Sequence, residues 1–84
     1  MKVDINNVLP RHRTRVPKTL AYWKKRKTYP KLNVCYARDI DKLIILNGHH
    51  RYFSLLEKGI KEIDVIIDRI QRETKFDKYN MPLA

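Results

Sequence analysis

The chain contains 84 residues and carries a formal net charge of +10 at pH 7, with 43% hydrophobic and 33% charged residues. A chain of this length buries only somewhat more than about 60% of the surface that it exposes when unfolded, so we expect one domain with one core. The hydrophobic fraction excludes a disordered chain. No apolar run approaches the roughly 20 residues that cross a bilayer, and the N-terminus lacks the apolar run of a signal peptide. The single Cys35 cannot form an intramolecular disulfide, so we expect a protein of the reducing cytoplasm with no membrane partner.

Positive charge is concentrated near the N-terminus. Between residues 11 and 31 the chain has nine of its nineteen basic residues and no acidic one. A run of this length without acids repels itself, which favours contact with a polyanion such as DNA over a face that is merely solvated. The residues that we assign to nucleic-acid contact are Arg11, Arg13, Arg15, Lys24, Lys25, Arg26 and Lys27.

The N-terminal segments predict a strand, a loop and a helix. Alternating apolar residues at 3–8 are typical of a short strand, which a proline closes. An exposed basic loop follows, and Pro17 fits the first turn of a helix, where its missing N–H is harmless. We expect this helix to bury Leu20 and Trp23 and to end at Tyr29, because a residue before proline disfavours the α region.

The next two segments predict a pair of strands. Residues 32–38 alternate between two faces, as in a strand. Residues 42–47 are apolar on both faces, which is typical of a strand with neighbours on both sides. The short turn between the segments favours a hairpin.

From His50 the apolar spacing changes to that of a helix, with Tyr52, Leu55 and Leu56 along one stripe. Gly59 is placed to end the helix in the left-handed conformation. The helix is therefore expected to span two to three turns.

A closing strand at 61–68 is predicted to turn three aliphatic side chains inward, those of Ile63, Val65 and Ile67. A strand that follows a helix by a short link pairs in parallel or lies one strand away in the sheet. The sequence therefore predicts an α+β fold, a small mixed β-sheet with two or three helices, over residues 1–69. Residues 70–84 are expected to form a tail that is partly helical.

The segment "LIILNGHHRYFSLLEKG" places donor-rich residues between the second strand of the pair and the helix. The first N–H groups of a helix lack intrahelical partners and attract anions. Asn47 can cap the helix, and Gly48 lets a phosphate approach the backbone closely. His49, His50 and Arg51 add donors at the same point, and a guanidinium can take two phosphate oxygens. The sequence therefore predicts a phosphate site at Asn47–Arg51.

Two other interpretations of this junction are weaker. Adjacent histidines on a helix point about 100° apart, whereas two metal ligands on one helix need a spacing of three or four residues, and no third ligand is apparent. We therefore predict no protein-held metal. In the structural interpretation Gly48 only makes a turn and the histidines only cap the helix, but four donor-rich residues in a row favour a ligand site.

These residues resemble the superfamily that joins the N-terminal domains of ParB-type partition proteins and sulfiredoxin. The resemblance covers about residues 3–68, and its specific part is "ILNGHHRYFSLLEKGIKEIDVII", which is similar to the superfamily pattern of strand, Gly-x-His/Arg-Arg, helix, glycine and strand. It implies a ParB/sulfiredoxin-like fold that binds nucleotide phosphates at Gly48, His50 and Arg51. It further implies a nucleoside triphosphate with Mg²⁺, ATP or CTP, and a looser match of Lys18 to a basic residue that faces the nucleotide.

The chain departs from that superfamily in two respects. Sulfiredoxin-like members carry a reactive cysteine where this chain has His49, and Cys35 lies in a predicted strand, so sulfiredoxin chemistry is not expected. Partition proteins continue into a DNA-reading module near the point where this chain stops, and a stand-alone copy suits a phage or plasmid protein.

Three functions stay open on the sequence. The first is a nucleotide-binding domain coupled to DNA, with or without hydrolysis or phosphotransfer, in which His49 or His50 acts as acid or base. The second is a nucleic-acid-binding or nuclease-like protein that uses its basic third, with Tyr22, Trp23 or Tyr29 for stacking. The third is a small adaptor or inhibitor of an acidic protein partner. Whether the protein is an enzyme stays open, as does a homodimer through an edge strand.

Overall fold

The computed structural model describes all residues, Met1–Ala84, and confirms the α+β class. It has two α-helices and one short 3-10 helix, Ile5–Asn7. The bounds of the strands and α-helices are β1 Lys2–Asp4, β2 Val8–Leu9, α1 Pro17–Lys25, β3 Leu32–Ala37, β4 Lys42–Asn47, α2 His49–Glu57, β5 Glu62–Gln71, β6 Lys75–Phe76 and β7 Pro82–Leu83.

Five of the strands form one mixed sheet in the order β1-β5-β3-β4-β2. β3 and β4 form the predicted antiparallel hairpin, and β4 lies between β3 and β2, as its two apolar faces indicate. The chain then passes through α2 and returns as β5, which lies parallel to β3 and one strand away from β4. The turn between β4 and α2 therefore starts at the end of a strand that pairs with the central strand, β3.

The first predicted strand, 3–8, is wrong in one respect, because it is broken in two. Asp4 accepts a hydrogen bond from the N–H of Asn6 at 2.8 Å and starts the 3-10 helix. This turn buries Ile5 and lets β1 and β2 pair at opposite edges of the sheet. The sheet must therefore curl, since so few residues span only a short distance.

The main core lies between the sheet and α2. Leu32, Val34, Ile45 and Val65 from three strands pack with Phe53 of the helix. A smaller cluster on the opposite face holds Cys35, which the sequence also indicates as a packed residue and not a reactive one.

α1 lies on the outside of this core and differs from the prediction. Leu20 and Trp23 are only half-buried, and the helix ends at Lys25, four residues before Tyr29. The N–H of Arg26 bonds to the carbonyl of Trp23 at 3.1 Å, which tightens and closes the last turn.

Two apolar residues that we predict to be inward are exposed. α1 packs against α2 on the side of Ser54, whose hydroxyl donates to the carbonyl of Leu20. Leu56 lies on another side of α2 and is exposed to solvent. Ile67 is exposed because β1 covers β5 only as far as Asp64.

The predicted helical character of the tail is wrong as well. β5 continues to Gln71, beyond the boundary expected at 69, and β6 and β7 then form a two-stranded hairpin. Asp77 holds this hairpin, because its carboxylate accepts the N–H groups of Tyr79 and Met81 at 2.8 and 2.9 Å. Turn bonds of this kind compete with a helix. Neither α-helix is long and apolar enough to span a bilayer.

Truncation of Ile45 should test the position of the core. Ile45 is fully buried, so Ile45→Ala is expected to lower the free energy of unfolding by about 2–5 kcal/mol. Ile60→Ala is the matched control, since Ile60 is 38% exposed beyond α2, and it should change the free energy by no more than about 0.5 kcal/mol. Urea denaturation measures both, and equal losses would contradict this core.

Candidate functional site

The turn between β4 and α2 is built on Gly48, whose φ of 106° is left-handed. Gly48 is itself the N-cap of α2, and no side chain caps the first turn. The predicted capping role of Asn47 is therefore wrong, because the cap position falls one residue later. A Cβ on Gly48 would collide with Leu32 and lie 2.9 Å from Nη2 of Arg51. The turn thus requires glycine for both conformation and space.

Arg51 lies directly over this turn. Its Nη1 donates to the carbonyls of Pro30 and Lys31 at 3.3 and 3.2 Å, and its guanidinium carbon lies 5.4 Å from the centroid of the Trp23 ring. Partial burial lowers the pKa of Arg51, but a guanidinium keeps its charge at any physiological pH. These contacts orient the fork and leave Nε and Nη2 on the side of Gly48.

Both histidines of the junction hold the basic loop before α1. Nε2 of His49 accepts the N–H of Arg11 at 2.9 Å, and Nε2 of His50 accepts the N–H of Val16 at 3.0 Å. A neutral histidine that accepts at Nε2 carries its proton on Nδ1. The two rings therefore fix the path of the loop across the start of α2, a role that the sequence does not reveal.

His49 is held in its neutral form. Burial, and then the positive charges of His12, Arg11 and His50, lower its pKa from 6.5 to about 4. The His12 ring stacks on the His49 ring with centroids 4.0 Å apart, and burial together with the charges of His50 and Arg11 lowers the pKa of His12 too. The guanidinium of Arg51 keeps its charge and is therefore a fixed positive charge at the turn.

Arg11, which we predict to contact nucleic acid, makes structural contacts within the chain. Its Nε and Nη2 donate to the carbonyls of Ile45 and Leu46, each at 2.7 Å. β2 pairs with β4 only as far as Ile44, and the pairing of β4 with β3 skips Leu46, so the guanidinium binds two carbonyls at an irregular part of β4.

A cleft of about 290 Å³ opens at the N-terminus of α2. It brings together all five predicted junction residues with four others, and no carboxylate lines it. Its walls are His12, Thr19, Trp23, Leu46, Asn47, Gly48, His49, His50 and Arg51. Of the residues that we do not predict for a phosphate site, Thr19 and Trp23 share one face of α1 by their spacing of four, a signal that helical periodicity could have supplied. His12 has no such signal.

Lys18, which the resemblance implicates, is exposed on α1 and does not line the cleft. Several of the basic residues predicted for nucleic acid contact the chain itself. Lys24 pairs with Glu57 at 3.2 Å, and the guanidinium groups of Arg15 and Arg26 lie over aromatic rings. The exposed residues without such a partner are Arg13, Lys25 and Lys27.

A second cleft, of about 560 Å³, lies on the other side of the basic loop. It shares His12 with the first cleft and adds Arg13 and the exposed ring of Tyr79. The carboxylate of Asp77 also lines it, and its Oδ1 accepts two N–H groups of the C-terminal hairpin. The two clefts therefore meet at His12.

No group of three or more histidine, cysteine or carboxylate side chains is arranged to hold a metal ion. The three histidines lie close together, but Nε2 of His49 and of His50 already accept backbone hydrogen bonds. These nitrogen atoms are therefore occupied by the fold.

These features define a small α+β domain with a polar, acid-free cleft at the start of its central helix. No protein-family model and no curated protein matches the chain. Its structure is similar to the crystal structure of protein Atu1540 from Agrobacterium tumefaciens, with a TM-score of 0.75 and 14% sequence identity. The match covers 94% of this chain and 43% of that one. At this identity the similarity is one of fold alone.

Alanine substitution of the two glycines that flank α2 should separate the cost of a positive φ from the cost of the collision at Gly48. Both have positive φ, but nothing lies within 4 Å of a Cβ placed on Gly59. Gly59→Ala is expected to lower the free energy of unfolding by about 1–2 kcal/mol. Gly48→Ala should lower it by about 1–3 kcal/mol more, because of the collision with Leu32. Urea denaturation measures both, and equal losses would show that space at Gly48 is unimportant.

The pKa of His49 predicts that stability falls on acidification. Because its pKa of about 4 in the folded protein lies below the 6.5 of an unperturbed histidine, the unfolded chain binds more protons between these values. The free energy of unfolding should therefore be highest above pH 6.5 and fall by an amount of order 2 kcal/mol as the pH approaches 4.

Urea denaturation between pH 7.5 and 4.5 measures this dependence. His49→Gln removes the titrating group and keeps an acceptor, so its free energy of unfolding should vary less with pH than that of the wild type. A variant with the same pH dependence as the wild type would assign the effect to other groups.

Proposed function

We propose that the protein binds the phosphate groups of a nucleotide in the cleft at the N-terminus of α2, as a ParB/sulfiredoxin-like nucleotide-binding domain. The observation that carries this proposal is the guanidinium of Arg51 over a glycine turn, beside a helix start that no side chain caps. Unpaired N–H groups, the positive end of the helix and a planar cation all favour an anion at this point.

The lining of the cleft supports the same assignment. A phosphate in the cleft would meet no carboxylate, and Nε and Nη2 of Arg51 lie next to the turn. The ring of Trp23 lies at the margin of the cleft, where contacts with Arg51 and Tyr29 hold it in place. A Mg²⁺ ion brought with a triphosphate would be coordinated by phosphate oxygens and water, because no carboxylate is near.

The arrangement favours binding over chemistry. A general base needs a free acceptor within hydrogen-bond reach of its proton. Nε2 of both His49 and His50 is already an acceptor for a backbone N–H. With no carboxylate in the lining, hydrolysis or phosphotransfer has no side chain assigned to it, and we propose a binding domain.

Nucleic-acid binding is the second candidate, and the second cleft favours it. A strand whose phosphate occupied the first cleft could continue past His12 toward Arg13 and the ring of Tyr79. Tyr79 is 69% exposed, as a stacking platform requires. This candidate uses the same turn but predicts a ligand longer than one nucleotide.

Trp23 is the one tryptophan and lines the cleft, so its fluorescence reports ligand binding directly. We expect saturable changes with ATP, CTP or GTP in Mg²⁺ that differ among the three nucleotides. Arg51→Ala should weaken binding by about tenfold or more, because a charge-assisted hydrogen bond is lost. Lys18→Ala is the matched control, since it also removes one positive charge but lies outside the cleft, and it should change the affinity by less than about twofold.

A short single-stranded DNA in the same titration distinguishes the second candidate. If DNA binds, each nucleotide fails to bind, and the affinity falls steeply between about 50 and about 200 mM salt, the protein is a nucleic-acid binder. Equal loss of nucleotide affinity in Arg51→Ala and Lys18→Ala would place the ligand elsewhere on the basic surface. Absence of binding to all of them would leave an acidic protein partner as the remaining function.

A further inference from the structure

β5 has an open edge over its second half. β1 pairs only with Glu62–Asp64, and the carbonyl of Met1 takes the N–H of Val65. Beyond that point β5 continues for six residues, Ile66–Gln71, with β3 on one side and no strand on the other. An ordered strand with unpaired backbone groups is a template for another strand.

The open edge is apolar. Ile66, Ile67 and Ile70 are 45%, 39% and 63% exposed. A cleft of about 260 Å³ lies beside Ile67, and five of its seven lining residues are hydrophobic, among them Val3 and Tyr36. Natural edge strands are usually protected by charge, and this edge has its two charges side by side at its centre.

Those two charges, Asp68 and Arg69, have no ion-pair partner within the chain. The two ion pairs of the protein are Met1 with Asp64 and Lys24 with Glu57. Asp68 accepts one hydrogen bond, from the side-chain amide of Asn33 at 2.7 Å. An exposed acid and an exposed base at adjacent positions of an edge strand can each be matched by a second strand.

We propose that the occupant of this edge is a second copy of the chain, paired antiparallel about a two-fold axis between Asp68 and Arg69. The segment "IIDRIQ" is self-complementary in that register. Asp68 lies opposite Arg69 of the second copy, and Arg69 lies opposite Asp68 of the second copy. Ile67 lies opposite Ile70 in the same way, at the margin of the apolar cleft. The contact is isologous, as a two-fold dimer requires.

A bulge in β5 favours this particular register. The pairing of β5 with β3 skips Asp68, since Val34 faces Ile67 and Cys35 faces Arg69. Bulges discourage pairing with an arbitrary strand, because they disturb the ladder. With the axis between Asp68 and Arg69, the bulge of one copy lies against the bulge of the other, so the irregularity is shared. A foreign strand lacks this match.

Charge reversal provides the test, with the full chain and no nucleotide, so its result is independent of the proposed nucleotide site. Sedimentation velocity from about 10 µM to about 1 mM should show a concentration-dependent dimer of the wild type. The variant R69D opposes two acids, and D68R opposes two bases. Each variant should raise the dimer dissociation constant by at least about tenfold. Ile70→Lys should do the same, whereas Leu83→Lys should not, because Leu83 is also more than half exposed but lies on the C-terminal hairpin.

An equimolar mixture of R69D and D68R provides the sharpest result. In the proposed register both cross-strand pairs become acid against base, so the mixture should form a heterodimer at concentrations where each variant alone is monomeric. This outcome also shows that both variants are folded. A wild type that stays monomeric throughout, single variants that dimerise like the wild type, or a mixture that stays monomeric would each overturn the proposal.

Discussion

Gly48 leaves β4 in the left-handed region, with Leu32 below it and the guanidinium of Arg51 above it. This one conformation sets the direction in which α2 leaves the sheet, and hence where its first N–H groups point. It also brings Arg51, three residues later, back over the turn. An alanine would need both a strained backbone and a displaced neighbour, so the geometry of the cleft and the packing at the end of β4 depend on the same missing side chain.

The two histidines explain how a loop without regular structure becomes a wall of the cleft. The loop has few apolar side chains to bury, so packing alone would not order it. Hydrogen bonds from its backbone to Nε2 of His49 and of His50 supply fixed points at Arg11 and Val16. The same bonds occupy Nε2 of each ring. Ordering the loop and binding a metal or a proton at Nε2 are therefore competing uses of these rings.

The sequence predicts most of the sheet and the location of the cleft, because alternation, the hairpin turn and a glycine at a strand-to-helix junction are local signals. It does not predict that the first strand divides between two sheet edges, since that depends on which strands β1 and β2 meet. It overestimates burial at Ile67 because apolar alternation does not show where a neighbouring strand ends. The hydrogen bond that fixes the basic loop joins His49 to Arg11, 38 positions earlier, and no local spacing rule could reveal it.

The basic residues of the N-terminal third fall into two groups, those that contact the chain itself and those that are exposed to solvent. Arginines at 11, 15 and 26 direct their planar groups at carbonyls or aromatic rings of the chain, contacts for which a guanidinium is well suited. Arg13, Lys25 and Lys27 extend into solvent without such partners. Part of the charge therefore maintains the fold, and the group available to a polyanion is smaller than the composition indicates. The salt dependence of binding follows the number of phosphates that the protein neutralises, so a nucleic acid that also reached Arg13, Lys25 and Lys27 would lose affinity with salt more steeply than a nucleotide held by Arg51 and the helix start alone.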